Sequence, residues 1–333
     1  MNISKTDRRS FLKKTALSGL GIGLAGSTVL ANGDGKVKKI GMVGLDTSHA
    51  PAFAKYINGK DHHFKITAAY TTVSRDLPAS NDRVEKFTAQ IRGMGIEIVD
   101  TLSSLLKQVD YVLLTSVDGR RHLKEVTEIF KSGKRVFIDK PVAGSLEDAI
   151  AIYKASEKYK LPTFSCSGTR FLSTVQEVRN GSIGEVMGAD TFSPVKYEPT
   201  HPELFWYGIH GTELLFTVMG AGCKKVRRTK TDQYDIVTGD WGDGRIGTFR
   251  GIRGKKGGYG GQAFGTKGLS YLGGWENYDP TVDAALKYFE DGIVPVEPRE
   301  TIEIYAFMEA AHESTRQNGD WVTLDSVLTK AGY

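Results

Sequence analysis

The feature that most restricts the fold is a regular alternation between residues 38 and 165. Short apolar runs are each followed by a stretch of helical periodicity. Lys38 to Gly44 reads as a buried strand. Thr47 or Ser48 caps a helix that turns Ala52, Phe53, Tyr56 and Ile57 inward. Phe64 to Tyr70 is a second strand, and Val84, Phe87, Ile91 and Met94 mark a helix beginning near Asn81. Ile96 to Val99 and Tyr111 to Thr115 are further strands. A helix from about Arg120 to Ser132 carries Leu123, Val126, Ile129 and Phe130 inward and stops at Gly133. Arg135 to Asp139 is a strand, and Ser145 with Asp148 opens a helix reaching Tyr159. Pro162 to Ser165 closes the series. Strand and helix alternating with short connections predict an α/β fold, a Rossmann-like doubly wound parallel sheet. Ligands of such sheets bind at the carboxyl ends of the strands, here 44–49, 70–75, 115–122 and 139–141.

The second half changes character. Residues 239–274 hold fourteen glycines, with strand-like runs at Ile246 to Phe249, Gln262 to Phe264 and Leu269 to Leu272. Asp243-Gly244 and Gly257-Gly258 mark hairpin turns. This predicts a C-terminal α+β domain with an open, largely antiparallel or mixed sheet, followed by helices over about 281–290 and 299–317. A chain of 333 residues suits two domains. The first covers 36–162. The second, for substrate and oligomerisation, covers 163–333.

Ahead of both lies a segment of different character. Residues 1–31 contain Lys5, Arg8, Arg9, Lys13 and Lys14 against Asp7, four of the five net positive charges of the chain. Asp-Arg-Arg-Ser-Phe-Leu-Lys-Lys at 7–14 precedes an apolar stretch from Thr15 to Leu30 that is too short and glycine-rich for a membrane span. It resembles a twin-arginine export signal, with cleavage after Ala31. This implies a periplasmic protein, free of the membrane after cleavage. The remainder is nearly neutral and gives no footprint for nucleic acid. Cys166 and Cys223 have no metal-type spacing and read as buried free thiols.

Several residue groups then line up in order: the glycine turn at Gly44, Thr115-Ser-Val-Asp-Gly-Arg-Arg-His122, Ser132 through Asp139-Lys140-Pro141, Trp206-Tyr-Gly-Ile-His-Gly-Thr-Glu213, and Gly265-Thr-Lys-Gly268. Together they resemble the Gfo/Idh/MocA oxidoreductases, the glucose–fructose oxidoreductase and inositol dehydrogenase group, over nearly all of 36–333. The resemblance implies an NAD- or NADP-dependent enzyme acting on a sugar, cyclitol or sugar derivative, assembled as a homo-oligomer. It implies that Lys140 and His210 are catalytic. A histidine suits proton transfer near neutral pH, and a lysine ammonium polarises the reacting oxygen. Gly44, Asp46, Thr47, Ser48, His49, Thr72, Ser74, Arg75, Thr115, Ser116, His122, Asp139 and Lys140 fall at the cofactor positions. Lys140, Arg170, Lys196, His201, Trp206, Tyr207 and His210 supply polar and aromatic groups for an oxygen-rich substrate.

Three departures stand out. Gly44-Leu45-Asp46-Thr47-Ser48-His49 keeps only the first glycine of the dinucleotide fingerprint, and an Asp46 carboxylate there repels phosphate. Thr47, Ser48 and His49 offer hydrogen bonds to an anion at the helix N-terminus instead. The second strand ends without an acid, whereas Ser74 and Arg75 favour a 2′-phosphate and hence NADP. Trp206 stands where the family often has an aspartate, leaving His210 without that partner unless Glu203 or Glu213 serves. Two other readings use the same scaffold. One is glycoside cleavage through a tightly held, recycled NAD. The other is a degenerate, non-redox sugar-binding protein. A metal site at His201, Glu203, His210 and Glu213 matches no recognised spacing, and none is expected.

Overall fold

In the computed structural model, described over residues 37–254 and 257–333, the chain runs as follows. First come β1 (Lys38–Val43), α1 (His49–Gly59), β2 (Phe64–Tyr70), α2 (Pro78–Asn81), α3 (Val84–Gly93), β3 (Glu97–Val99), α4 (Leu102–Leu106) and β4 (Tyr111–Leu114). Then follow α5 (His122–Lys131), β5 (Arg135–Asp139), α6 (Leu146–Tyr159) and β6 (Phe164–Cys166). The second half contains α7 (Ser173–Arg179), β7 (Val186–Pro194), α8 (Ile209–Met219), β8 (Lys225–Lys230), β9 (Tyr234–Asp240), β10 (Ile246–Ile252), β11 (Gly260–Gly265) and β12 (Gly268–Gly273). The chain closes with α9 (Asp279–Asp291), α10 (Pro298–Arg316), β13 (Val322–Thr323) and α11 (Leu324–Lys330). The expected export signal at 1–31 lies outside the described residues.

The first sheet has the order β3-β2-β1-β4-β5-β6, with every pair parallel. This is the doubly wound order with its switch point between β1 and β4. Its central strands are covered on both faces. Ile40 to Val43 and Val112 to Leu114 are fully buried, so these strands read as continuous apolar runs. One face packs on α4, α5 and α6. The other receives α1 and also α9, which returns from the second half. From α9, Val282, Tyr288 and Phe289 bury fully against Phe137 and Phe164. Each such side chain contributes about 1.5–3 kcal/mol.

The second sheet has the order β12-β11-β7-β10-β9-β8-β13 and is mixed. β7 and β10 run parallel, and the remaining pairs are antiparallel. Asp243-Gly244 makes the expected hairpin between β9 and β10. Gly257-Gly258 does not join two neighbouring strands, because β7 inserts between β10 and β11. The tight turn falls instead at Thr266-Lys267, between β11 and β12. Helices α8 and α10 cover one face of this sheet. Ten of the eleven residues of α8 are buried, since it lies between β7 and β10 of the sheet and the helices α7 and α10. Cys166 and Cys223 are buried free thiols.

Candidate active site

The carboxyl ends of β1, β4, β5 and β6 open onto one cavity of about 430 Å³, closed from the other side by the second half of the chain. That size suits a small-molecule site. The loop that supplies Thr47, Ser48 and His49 to its wall starts at Gly44, where the chain turns with φ +88° against the end of β4. A Cβ there would lie 2.2 Å from the Ser116 nitrogen, so only glycine fits. Thr115 Oγ1 donates to Gly44 O at 2.7 Å and holds the turn.

Asp46 does not face the cavity. Its carboxylate accepts from Val117 N at 2.9 Å and from Ser80 Oγ at 2.5 Å, and the residue is fully buried. Burial raises its pKa against the pull of those two hydrogen bonds. The repulsion expected from this carboxylate is therefore directed into the loop, away from the wall formed by Thr47, Ser48 and His49.

His49 opens α1 and reaches across to the end of β5. Its Nδ1 lies 2.5 Å from Asp139 Oδ2, while Asp139 Oδ1 accepts from Lys140 N at 2.9 Å. Burial pushes the Asp139 carboxyl up, but the charge and hydrogen bond of His49, with the Lys140 ammonium, outweigh it and hold the group below its usual range. His49 Nε2 makes no hydrogen bond to a described residue, and the ring lines the cavity beside Tyr278, 4.4 Å away between centroids. A histidine oriented by a buried carboxylate at one nitrogen is equipped to accept a proton at the other.

Lys140 follows Asp139 and lines the same cavity, its peptide bond to Pro141 being cis. Burial lowers its pKa, Asp139 opposes that change, and the charge of Arg83 adds to it. From the opposite side His210, the second residue of α8, points in. Its Nδ1 lies 2.7 Å from Ser167 Oγ, which is also 2.9 Å from Thr169 Oγ1. Burial, and then the charges of Lys140 and His49, press the His210 pKa well below the ordinary histidine value. His210 is therefore neutral at neutral pH. Glu213 reaches it only indirectly, accepting from Ser167 N at 2.7 Å, while Glu203 pairs with Arg228 and Lys230.

The other expected site residues divide. Lys196, Trp206 and Tyr207 line the cavity. Trp206 packs on Leu77 and Val117 and is 4% exposed, which leaves little ring face for stacking on a ligand. Arg170 does not reach the cavity. It is buried between Glu213 at 2.8 Å and Glu300. His201 is buried against Trp206, with Nε2 3.2 Å from Asp118 Oδ1. Ser116, Thr115 and His122 lie beneath the loop after β4. Ser116 Oγ donates to Glu125 at 2.8 Å, and the His122 ring bridges Ser116 O and Val142 O. Thr72 and Ser74 are buried at the tip of β2, and Arg75 is exposed. Arg120 joins that loop to the loop after β4 by pairing with Asp76 and Asp118. His201, Glu203, His210 and Glu213 thus have separate partners, and no metal-binding group of three exists among the described residues.

Arg83, Ser167, Thr169, Tyr259, Trp275 and Tyr278 line the cavity without having been singled out in the sequence. Ser167 and Thr169 follow β6, so the rule that ligands sit at strand ends points to them. The three aromatics flank the glycine-rich strands. Nothing local to their sequence directs them inward.

Fold and site define a Rossmann-type doubly wound scaffold with its cleft at the carboxyl ends of the strands. Residues 38–165, from β1 through β6, match the Gfo/Idh/MocA family, described as an oxidoreductase family with an NAD-binding Rossmann fold. No curated protein matches the chain. Among solved structures, a putative myo-inositol dehydrogenase from Sinorhizobium meliloti 1021 is 14% identical with a TM-score of 0.73, over 86% of this chain and 100% of that one. The scyllo-inositol dehydrogenase of Lactobacillus casei with bound NAD(H) and scyllo-inositol is 17% identical with a TM-score of 0.71, over 87% and 100%. These likenesses establish a shared fold. The residues present fit a dinucleotide. The Gly44 turn is retained, Asp46 is turned away, Thr47 and Ser48 lead into α1 at the cavity wall, and the buried Thr72 Oγ1 at the tip of β2 has no hydrogen-bond partner among the described residues.

Proposed function

We propose that the protein is a periplasmic NAD(P)-dependent oxidoreductase of a sugar, cyclitol or sugar derivative, exported by the segment 1–31 and working as a homo-oligomer. One observation carries the reading: Lys140 and His210, from opposite halves of the chain, line a single cavity at the strand ends. The polyol bound by the Lactobacillus casei relative supports the substrate class.

Oxidising a secondary alcohol removes a hydride from carbon and a proton from oxygen. A nicotinamide, when bound, supplies the hydride acceptor. Thr47 and Ser48 would hold its phosphates at the start of α1. Neutral His210 accepts the hydroxyl proton, its ring fixed at Nδ1 by Ser167 so that Nε2 is left for the substrate. The Lys140 ammonium donates to the same oxygen and stabilises the charge that develops there. A second reading, glycoside cleavage by transient oxidation and elimination, is favoured by the second anchored histidine. His49 offers a base for a carbon-bound proton in addition to the base for the alcohol.

The test begins with cofactor content. Purified, exported protein is denatured and the supernatant assayed for NAD(H) and NADP(H) by absorbance and mass. Bound cofactor, or binding on titration, is expected. Lys140→Met and His210→Gln should then each lower kcat by about 10²–10⁴-fold with the unfolding midpoint retained. No bound cofactor, together with no binding up to about 1 mM, would sink this reading. Release of an aglycone with no net change in cofactor would select the elimination route.

A further inference from the structure

The side chains around the cavity are unevenly charged. Arg83, Lys140 and Lys196 line it, and no aspartate or glutamate does. Among the described residues none of these three cations has a carboxylate oxygen within 4.0 Å, although most other surface and core arginines are paired. The nearest acids are spent elsewhere. Asp139 is held by His49, and Asp46 by Ser80 and Val117. Arg83 donates its Nε to Ala79 O, which leaves its two terminal nitrogens. Its charge reaches Lys140.

This composition discriminates between ligands. A neutral sugar presents hydroxyls that both donate and accept, and it is matched by acids and amides as well as donors. Lysine and arginine donate only. A neutral polyol here would leave the partly buried Lys140 and Arg83 without counter-charge, which is costly, and would leave the exposed Lys196 at the mouth unused. An anionic oxygen satisfies them, and a guanidinium meets a carboxylate or phosphate through two parallel bonds.

Building on the oxidoreductase reading, we infer that the ligand of this cavity carries an oxyanion held by Arg83 and Lys196 beside Lys140. That oxyanion is the carboxylate of a sugar acid. Neither cation is needed for proton transfer, so both act on affinity.

The experiment is calorimetric titration of the full chain with D-glucuronate, with D-glucose and, separately, with NADH. If the anion belongs to the substrate, glucuronate binds without dinucleotide at least about tenfold tighter than glucose. That preference shrinks as NaCl rises. Arg83→Gln and Lys196→Gln each weaken glucuronate binding about tenfold, and Arg83→Lys recovers part of the loss. Variants that weaken NADH by a similar factor, with glucuronate showing no advantage over glucose, would assign the two cations to the cofactor and overturn the inference. Wild-type affinity of both variants for both ligands would overturn the inference. So would failure of cooperatively folding wild-type protein to bind either one. A retained glucuronate preference without any dinucleotide binding would sink the oxidoreductase reading and leave the anion site standing.

Discussion

His210 shows how much of a site's chemistry lies in contacts that sequence spacing does not carry. Its position was legible from the Gly-Ile-His segment and from the place of Lys140 after β5. Its partner was not. The ring is anchored by Ser167, 43 residues earlier in the chain, rather than by Glu203 or Glu213. Asp46 is the converse case. It reads as an obstacle to phosphate, yet it folds inward because Ser80 and the Val117 amide offer a buried carboxylate two hydrogen bonds. A neutral anchor and a depressed pKa have a consequence for pH. The His210 pKa in the folded chain lies below its ordinary value of 6.5, because burial and the charges of Lys140 and His49 disfavour the imidazolium. A depressed histidine favours folding fully above the unfolded pKa. That contribution falls as pH drops below 6.5 toward the folded pKa, since the unfolded chain binds the proton first. Urea unfolding of wild type should therefore lose stability from pH 6.5 downward, and His210→Gln should lose less over the same interval. Equal losses in the two proteins would show that His210 does not titrate as a buried neutral base.

Among the elements, those with a clear period were legible. β1, β4 and β5 end in short apolar runs buried on both faces, β2 alternates buried with part-exposed residues, and α5 and α6 carry regular stripes and a cap or stop signal. β7 and β8 were not. Val-Met-Gly-Ala-Asp-Thr-Phe-Ser-Pro alternates only weakly, and Lys-Val-Arg-Arg-Thr-Lys is dominated by charge, with Arg228 buried by pairing with Asp235 at 2.6 Å. The short α4 and the partnership of α9 were equally silent, since amphipathicity reports that a helix buries a face without naming the surface it meets. For α9 that surface is the first sheet, more than 100 residues earlier in sequence. Phe289 is fully buried and stacks on Tyr111, with centroids 4.9 Å apart, while Arg135 donates to its carbonyl oxygen at 2.8 Å. Phe289→Ala should cost about 3–5 kcal/mol in denaturant unfolding, the range for truncating a buried aromatic. A loss below about 1 kcal/mol would mean that α9 is not part of the core of the first half.

For the whole molecule, the second sheet presents an asymmetry that α8 and α10 leave unresolved. They cover one face. The other exposes Tyr271, Leu269, Ile246 and Tyr234, at 73%, 52%, 44% and 39% of their full surface. Strand register sets Tyr271 at the end of a row that continues through Gln262 and Asp190 to Thr248 on β10, with Leu269 and Ile246 in the next row. An exposed apolar row beside a row of polar groups suits pairing of like surfaces, because a two-fold axis brings each patch onto its own copy. Arg250, on the same face, keeps the patch from being uniformly apolar and lets charge set the register. Light scattering of the purified protein should give a multiple of the chain mass. Ile246→Glu with Tyr271→Glu should shift it toward the monomer, because placing four new carboxylates in a closed symmetric interface costs far more than placing them in water. The substituted residues stand away from Lys140 and His210, so the folded monomer should keep its cofactor content. A wild-type monomer, or an assembly insensitive to both charges, would show that the open face serves some purpose other than self-association.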